Sequence, residues 1–287
     1  MMNRRDLLKA SLPIVVGAGC LPRWACAQAA AGSPSLPAPG ADGWISLLNG
    51  HDLTGWYSML EKSGKDVAQT RKIVMMEQGM LHILGNEVTA EPMETGYLAT
   101  HDEFENVHIR VEYKWGVKRF PPQTLAKRDN GILYGLVGAD IVWPTCVECQ
   151  IEEDDLGDAY LVNGVRGVQP PHNDGLFEQA PGPDGWPRPG IAGHAKQGVP
   201  APEPTTGRKI KDGNFEMLDG WNVVEVIWQG DRAAHIVNGR LVNVLTTLQQ
   251  PDPNQTGKFL PLTRGKIAIE IEYAEIWYRK IEVKPLV

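Results

Sequence analysis

The stretch N-V-H-I-R-V-E-Y-K-W, residues 106–115, alternates without a break. Val107, Ile109, Val111, Tyr113 and Trp115 fall on one side, and His108, Arg110, Glu112 and Lys114 on the other. A period of two belongs to a β-strand with one covered and one wet face; a helix would scatter those five apolar residues around its axis. G-M-L-H-I-L (79–84), G-I-L-Y-G-L-V (131–137) and W-N-V-V-E-V-I-W (221–228) read as further strands. A-A-H-I-V-N-G-R-L-V-N-V (233–244) is two short strands joined at Asn238-Gly239, a preferred two-residue hairpin turn. K-I-A-I-E-I-E-Y-A-E-I-W-Y-R-K-I-E-V (266–283) gives two more, breaking near Tyr273-Ala274. There is no amphipathic helix of three turns and no fixed-period repeat. The expected fold is therefore all-β, a jelly-roll β-sandwich of two curved antiparallel sheets. Residues 164–214 lack periodicity and are crowded with Pro and Gly. They read as a long loop insertion, of a length that usually serves function.

The N-terminus points to export. N-R-R-D-L-L-K places Arg4 and Arg5 as in a twin-arginine signal, and an apolar run follows to about Leu21, broken by Pro13 and too short to span a bilayer. Ala25-Cys26-Ala27 is a small-residue cleavage site, so residues 1–27 read as a signal peptide, 28–41 as a flexible leader and 42–287 as one β domain in the periplasm or outside the cell. G-A-G-C also makes Cys20 a weaker reading as a lipid anchor, with Gly17 where a branched aliphatic is usual. The chain carries 28 Lys and Arg against 35 Asp and Glu, a net charge of −7. Processing removes more bases than acids, so the mature domain is more acidic still. Such a surface repels phosphate backbones and argues against a nucleic-acid partner. No second apolar segment suggests a transmembrane helix.

The segment W-P-T-C-V-E-C-Q-I-E-E-D-D (143–155) offers thiol chemistry and carboxylate chemistry in one place. Zinc needs two more ligands, and no second C-x-x-C or H-x-x-x-H exists. The segment also alternates like a strand, which sends Cys146 and Cys149 to opposite faces and argues against a disulfide. On that strand Cys146, Glu148, Gln150 and Glu152 share one face, while Val147, Cys149 and Ile151 share the other. The second set belongs to the core. The first is either an ordinary solvated strand face or a row of acid, amide and acid that binds polyols and handles protons. Glu270 and Glu272 share a face in the same way and either meet Glu148 across a concave sheet or guard an edge strand. Trp143, Trp221 and Trp277 are candidate sugar platforms, although most Trp residues of a β-sandwich are core. His101 is either a base or ligand, or a surface loop histidine. Clustered carboxylates suit calcium, magnesium or manganese, but no ligand spacing fixes a metal.

Six segments in order resemble one family, the 3-keto-disaccharide hydrolase domain. W-I-S-L-L-N-G-H-D-L-T-G-W (44–56) resembles its opening, and G-Y-L-A-T-H-D-E-F-E-N-V-H-I-R-V-E-Y (96–113) an early strand. R-D-N-G-I-L-Y (128–134) and V-E-C-Q-I-E-E-D-D-L-G-D-A-Y (147–160) resemble its N-S-G and E-x-Q strands. W-N-V-V-E-V-I with H-I-V-N-G-R-L-V, and G-K-I-A-I-E-I-E-Y-A-E-I-W-Y-R-K-I (265–281), resemble its closing segments. The sequence departs where the family has L-Q, here Ile269-Glu270, and at a hairpin glycine, here Tyr273. An ionised Glu270 cannot donate the hydrogen bond a glutamine would.

The resemblance implies a concanavalin A-like lectin/glucanase fold and cleavage of glycosides whose C3 hydroxyl has been oxidised to a ketone. That reaction proceeds by C2 proton abstraction, elimination and hydration, and it needs a base, a group to polarise the ketone and a proton for the leaving oxygen. It implies Glu148 and Arg279 as catalytic residues, to which the strand reading above adds Glu270. Around the substrate it implies Gln150, Asn130 and Tyr134, with Glu152, Trp143, Glu272 and His101 added from the reading above. A small carbohydrate is the expected partner, and an upstream sugar C3-oxidising dehydrogenase would supply it. A non-catalytic, lectin-like carbohydrate-binding module of the same fold is the alternative.

Overall fold

The computed structural model of this 287-residue chain describes residues 36–85, 93–170, 178–181, 187–188 and 202–286. The expected signal peptide, Cys20 and most of the leader lie outside the described residues, as does the middle of the expected insertion. The strands run β1 Ile45–Ser46, β2 Trp56–Leu60, β3 Gly64–Lys65, β4 Val74–Glu77, β5 Met80–Ile83, β6 Gly96–Phe104 and β7 Val107–Arg119. They continue with β8 Asp129–Val137, β9 Thr145–Glu152, β10 Ala159–Val162, β11 Arg166–Val168, β12 Glu178–Pro181, β13 Pro187–Arg188 and β14 Gly207–Lys209. The last are β15 Asn222–Gln229, β16 Arg232–Val237, β17 Arg240–Pro251, β18 Phe259–Pro261, β19 Gly265–Ile271 and β20 Ala274–Pro285. One helical turn, Val67–Thr70, interrupts them.

Two antiparallel sheets form the sandwich. One has the order β11-β17-β16-β15-β7-β20-β5-β4, with β1 on β20 and β18 on β17; the other runs β14-β10-β9-β8-β19-β6-β2-β3. The chain crosses from one sheet to the other between β5 and β6, β6 and β7, β7 and β8, and β19 and β20, as a jelly roll requires. Each strand buries its apolar parity between the sheets. In β7, Val107, Ile109, Val111 and Tyr113 are fully buried. Each aliphatic side chain so buried contributes about 1.5–3 kcal/mol of hydrophobic stabilisation. The β16–β17 turn is the one expected: Asn238 and Gly239 have φ of 48° and 77°, the left-handed pair that a tight hairpin needs.

The expected insertion at 164–214 is not wholly irregular. β11 pairs with β17, and β14 pairs with β10. Both are edge strands of three residues, too short to show a period in the sequence.

Strand geometry also settles the thiols. Cys149 lies in the core between the sheets, and Cys146 lies in a separate apolar cluster on the opposite face of β9. Both are free and buried. A protein beginning at Gln28 is expected to resist a maleimide reagent when native and to take up two labels per chain after unfolding. A mass showing an intramolecular disulfide would contradict this arrangement.

Candidate functional site

The second sheet carries two apolar faces. Ile132, Tyr134, Val147, Cys149, Ile151, Ile267, Ile269 and Ile271 join the main core. Leu133, Cys146, Ala268, Ala99, Tyr97 and Tyr57 make a smaller cluster on the face turned away from it, with Val142 and Trp143 of the β8–β9 connection packed over them. Polar groups on this outward face are therefore shielded from water while remaining outside the sandwich interior.

Register builds the site. β9, β8, β19 and β6 lie side by side, pairing Gln150 with Gly131, Glu148 with Leu133, Leu133 with Ala268, and Glu270 with Tyr97. Glu148 and Glu270 thus sit on strands separated by β8, and they meet over Gly131. A Cβ placed on Gly131 would lie 2.6 Å from Glu148 Oε1 and 2.8 Å from Glu270 Oε2. The two carboxyls are hydrogen-bonded to each other. Glu148 is 8% exposed and Glu270 4%. Burial, followed by the charge of neighbouring carboxylates, raises both well above the ordinary carboxylate range. Two carboxyls in contact and out of water cannot both ionise easily, so the pair holds a proton in common and titrates as a unit.

A second carboxyl pair adjoins the first. Asp129 and Glu272 are hydrogen-bonded to each other; burial, then the Glu272 charge, pushes Asp129 up to about 8, and burial pushes Glu272 to about 7. Gln150 Nε2 donates to Asp129 Oδ1 at 2.8 Å, and Gln150 also bonds to Glu152, which burial raises. These shifts have a sign that can be measured. The unfolded chain loses the two protons near pH 4, whereas the folded chain holds them to about 7 and 8. Stability from this pair is complete at low pH and is lost as pH rises through those values. The thermal midpoint is expected to fall between about pH 4 and 8, and to fall less in an Asp129→Asn, Glu272→Gln protein. Equal slopes in the two proteins would refute the assignment.

At the other end of the face, Tyr57 donates to Asp140 Oδ1 at 2.5 Å, Lys65 reaches Asp140 Oδ2 at 3.3 Å, and Lys266 Nζ donates to the Tyr57 hydroxyl at 2.9 Å. Burial and the Asp140 carboxylate hold Tyr57 well above the usual phenol range. Lys266 and Glu270 are four positions apart on β19, so the face runs from cationic at one end to carboxylic at the other.

The structure brings together Glu148, Gln150, Glu152, Glu270 and Glu272, with Trp143 over the adjoining cluster. Because β19 is a central strand, Glu270 is not an edge guard, and Glu272 follows its last residue, Ile271. His101 is exposed at the rim, 5.3 Å from the Tyr57 ring. Three expectations are corrected. Asn130 faces the interior, because Gly131 and Leu133 take the outward parity of β8. Its amide donates to the Glu270 carbonyl at 2.9 Å and accepts from Tyr278, which fixes β19 from beneath. Tyr134 shares that inward parity and bonds His235 Nε2 at 3.0 Å. Arg279 belongs to β20 in the other sheet, on the far side of the sandwich, where it pairs with Glu112 at 2.5 Å and lies over Trp221. Trp277 stacks on His82 on that same sheet.

Asp129, Gly131, Tyr57, Lys266 and Asp140 were not among the expected site residues. Parity with Gly131 was the available signal for Asp129, but the apolar run I-L-Y-G-L-V hides which parity faces out. Among the described residues no group of three or more His, Cys, Asp and Glu side chains has the geometry to hold a metal ion, and the site carboxyls are instead paired. No helix among the described residues is long and apolar enough to cross a membrane.

Residues 43–284 match the family model described as 3-keto-alpha-glucoside-1,2-lyase-like domain, a carbohydrate-active family. No curated protein matches the chain. Among solved structures, a candidate glycosyl hydrolase from Parabacteroides distasonis ATCC 8503 is similar at 18% identity, with 86% of this chain and 95% of that chain covered and a TM-score of 0.49. A Bacillus subtilis protein of unknown function with a galectin-like fold is similar at 9% identity, covering 80% and 88%, with a TM-score of 0.41. The metal-free carbohydrate recognition domain of Emp46p is similar at 11% identity, covering 82% and 90%, also at 0.41.

Proposed function

This chain belongs to the 3-keto-alpha-glucoside-1,2-lyase-like domain family, and we propose that it cleaves 3-keto-glycosides by elimination followed by hydration. The observation that carries the proposal is the hydrogen-bonded Glu148–Glu270 pair. Ordinary glycoside hydrolysis needs two carboxyls roughly 5–9.5 Å apart on either side of the bond. Carboxyls bonded to each other leave no room for an anomeric carbon between them. They suit a reaction in which both protons move on one side of the sugar.

The sequence of bonds follows. Glu148 takes the C2 proton, whose acidity comes from the neighbouring ketone, and the electron pair forms the enolate on the C3 oxygen. The enolate re-forms the ketone and expels the C1 oxygen, which takes its proton from Glu270. Glu148 then holds a proton and Glu270 is ionised; transfer across their hydrogen bond restores the starting state. Water adds to the resulting unsaturated ketone. Burial of the pair lifts the base towards neutrality, where a general base works best. The cationic end of the face, Lys266 with Tyr57, is where enolate charge finds support in this reading, the role first expected of Arg279.

The substrate must come from a reaction that oxidises a sugar C3 hydroxyl, and we place the protein in an exported compartment on the Arg4-Arg5 leader; an N-terminus at Gln28 in protein recovered from outside the cytoplasm checks that placement. The test of function is a panel of glycosides, each with and without prior C3 oxidation. Release of the leaving alcohol is expected from the oxidised members alone. Cleavage of unoxidised glycosides would point to ordinary hydrolysis, and binding without cleavage to a lectin-like module.

A further inference from the structure

The sheet that holds β5, β7 and β20 presents its outer face on the far side of the sandwich from the carboxyl site. Leu81 and Ile83 take the inward parity of β5, so His82 points out of that face. It is fully buried all the same. Glu77 and Glu275 hold its two ring nitrogens at 2.7 and 2.9 Å, and Trp277 stacks on it with ring centroids 3.4 Å apart and planes within 18°. The Val117 and Lys118 amides fix Glu275 in turn. Two glycines make the room: a Cβ at Gly85 would stand 2.4 Å from His82 Nδ1, and one at Gly116 2.3 Å from Glu275 Cγ. This pedestal occupies one face of the Trp277 indole. Trp277 is only partly buried, so its other face is a flat apolar platform turned to solvent.

Cations surround the platform. Lys114 lies opposite Trp277 in register, is exposed, and has no partner among the described residues. Arg279 stands two positions beyond Trp277 on β20, about 6–7 Å along the strand and on the scale of one sugar ring. Its Nε bonds Glu112, and its guanidinium lies over Trp221, 4.4 Å from the ring centroid. Those two contacts orient the guanidinium and leave its Nη groups without a hydrogen bond among the described residues. Lys280 shares the same Glu112 carboxylate, so three cations face one free acid, Glu77 and Glu275 being spent on His82. On a chain of net charge −7 this is a local reversal of sign. A carboxylated pyranose matches the arrangement. The C–H face of its ring covers the indole, and its carboxylate takes two parallel hydrogen bonds from the free end of Arg279, with Lys114 beside it. We propose that this face is a second binding site, separate from the carboxyl site, for the uronic-acid residues of an acidic glycan.

Calorimetry on the whole protein tests it with three probes: trigalacturonate, the neutral maltotriose, and triglutamate, which carries carboxylates without sugar rings. Trigalacturonate is expected to bind, and the other two at least about tenfold more weakly, the usual worth of a hydrogen bond to a charged group. Arg279→Gln is expected to weaken trigalacturonate about tenfold by removing the paired donors. Trp277→Leu is expected to weaken it by a similar factor by removing the platform. Triglutamate binding as tightly as trigalacturonate would reduce the face to a cationic patch and overturn the site. So would a wild type that does not bind trigalacturonate, or an Arg279→Gln protein of unchanged affinity. Because Trp277 covers His82, its replacement can disturb folding. Lys114→Gln, at an exposed position, then takes its place: weakened trigalacturonate binding supports the site, and unchanged binding overturns it. No turnover enters these measurements, so they stand apart from the reaction proposed above.

Discussion

Glu148→Gln is expected to lower turnover of a 3-keto-α-glucoside by about 100- to 10,000-fold, the usual cost of losing a general base. The amide keeps the size of the side chain and still fits over Gly131, so substrate binding should survive within a few-fold. It can also still bond to the Glu270 carboxyl. What it cannot do is take a proton from carbon. Exchange of the C2 hydrogen in deuterated water should fall with turnover, because exchange requires only the proton-transfer step. A Glu148→Gln protein that exchanges C2–H at the wild-type rate would remove Glu148 from that role. Glu270→Gln separates the two functions: if Glu270 supplies the leaving-group proton, C2 exchange should persist better than cleavage.

Gly131→Ala is expected to cost about 100-fold in kcat with little change in folding. The backbone at Gly131 is not in the left-handed region, so alanine is conformationally acceptable there. The added methyl, however, would stand 2.6 Å from Glu148 Oε1, 2.8 Å from Glu270 Oε2 and 2.9 Å from Glu270 Cδ. These are the ends of flexible side chains, which can swing aside, so the fold absorbs the change. The carboxyl pair cannot remain in contact. Displacement of catalytic groups by about 1 Å typically costs on the order of 100-fold. The expected signature is a thermal midpoint near that of the wild type together with lost turnover and altered pH dependence of kcat. Full activity in Gly131→Ala would show that contact between the two carboxyls is not needed.

The sequence by itself determined the architecture and half of the site. Clean alternation in β7 and β15 requires a covered face, the Asn238-Gly239 pair requires a hairpin, and alternation in β9 places Glu148, Gln150 and Glu152 together and separates the two thiols. These are local properties, because side-chain direction along a strand follows from position alone. Non-local choices were left to the tertiary structure. β8 is apolar at both parities because both of its faces are covered, so its alternation is silent; Asn130 was expected at the substrate and lies inside, and Asp129 was overlooked. Arg279 and Glu270 are near neighbours in sequence, but the chain changes sheets between Ile271 and Ala274, which carries Arg279 to the far side of the sandwich. Glu148 and Glu270 lie on strands that do not touch, two sheet spacings or roughly 9.6 Å apart. They meet because the strand between them presents a glycine at the crossing point. That coincidence of register joins positions 131, 148 and 270, and it arises when β8 pairs with both neighbours at once, which no local pattern encodes.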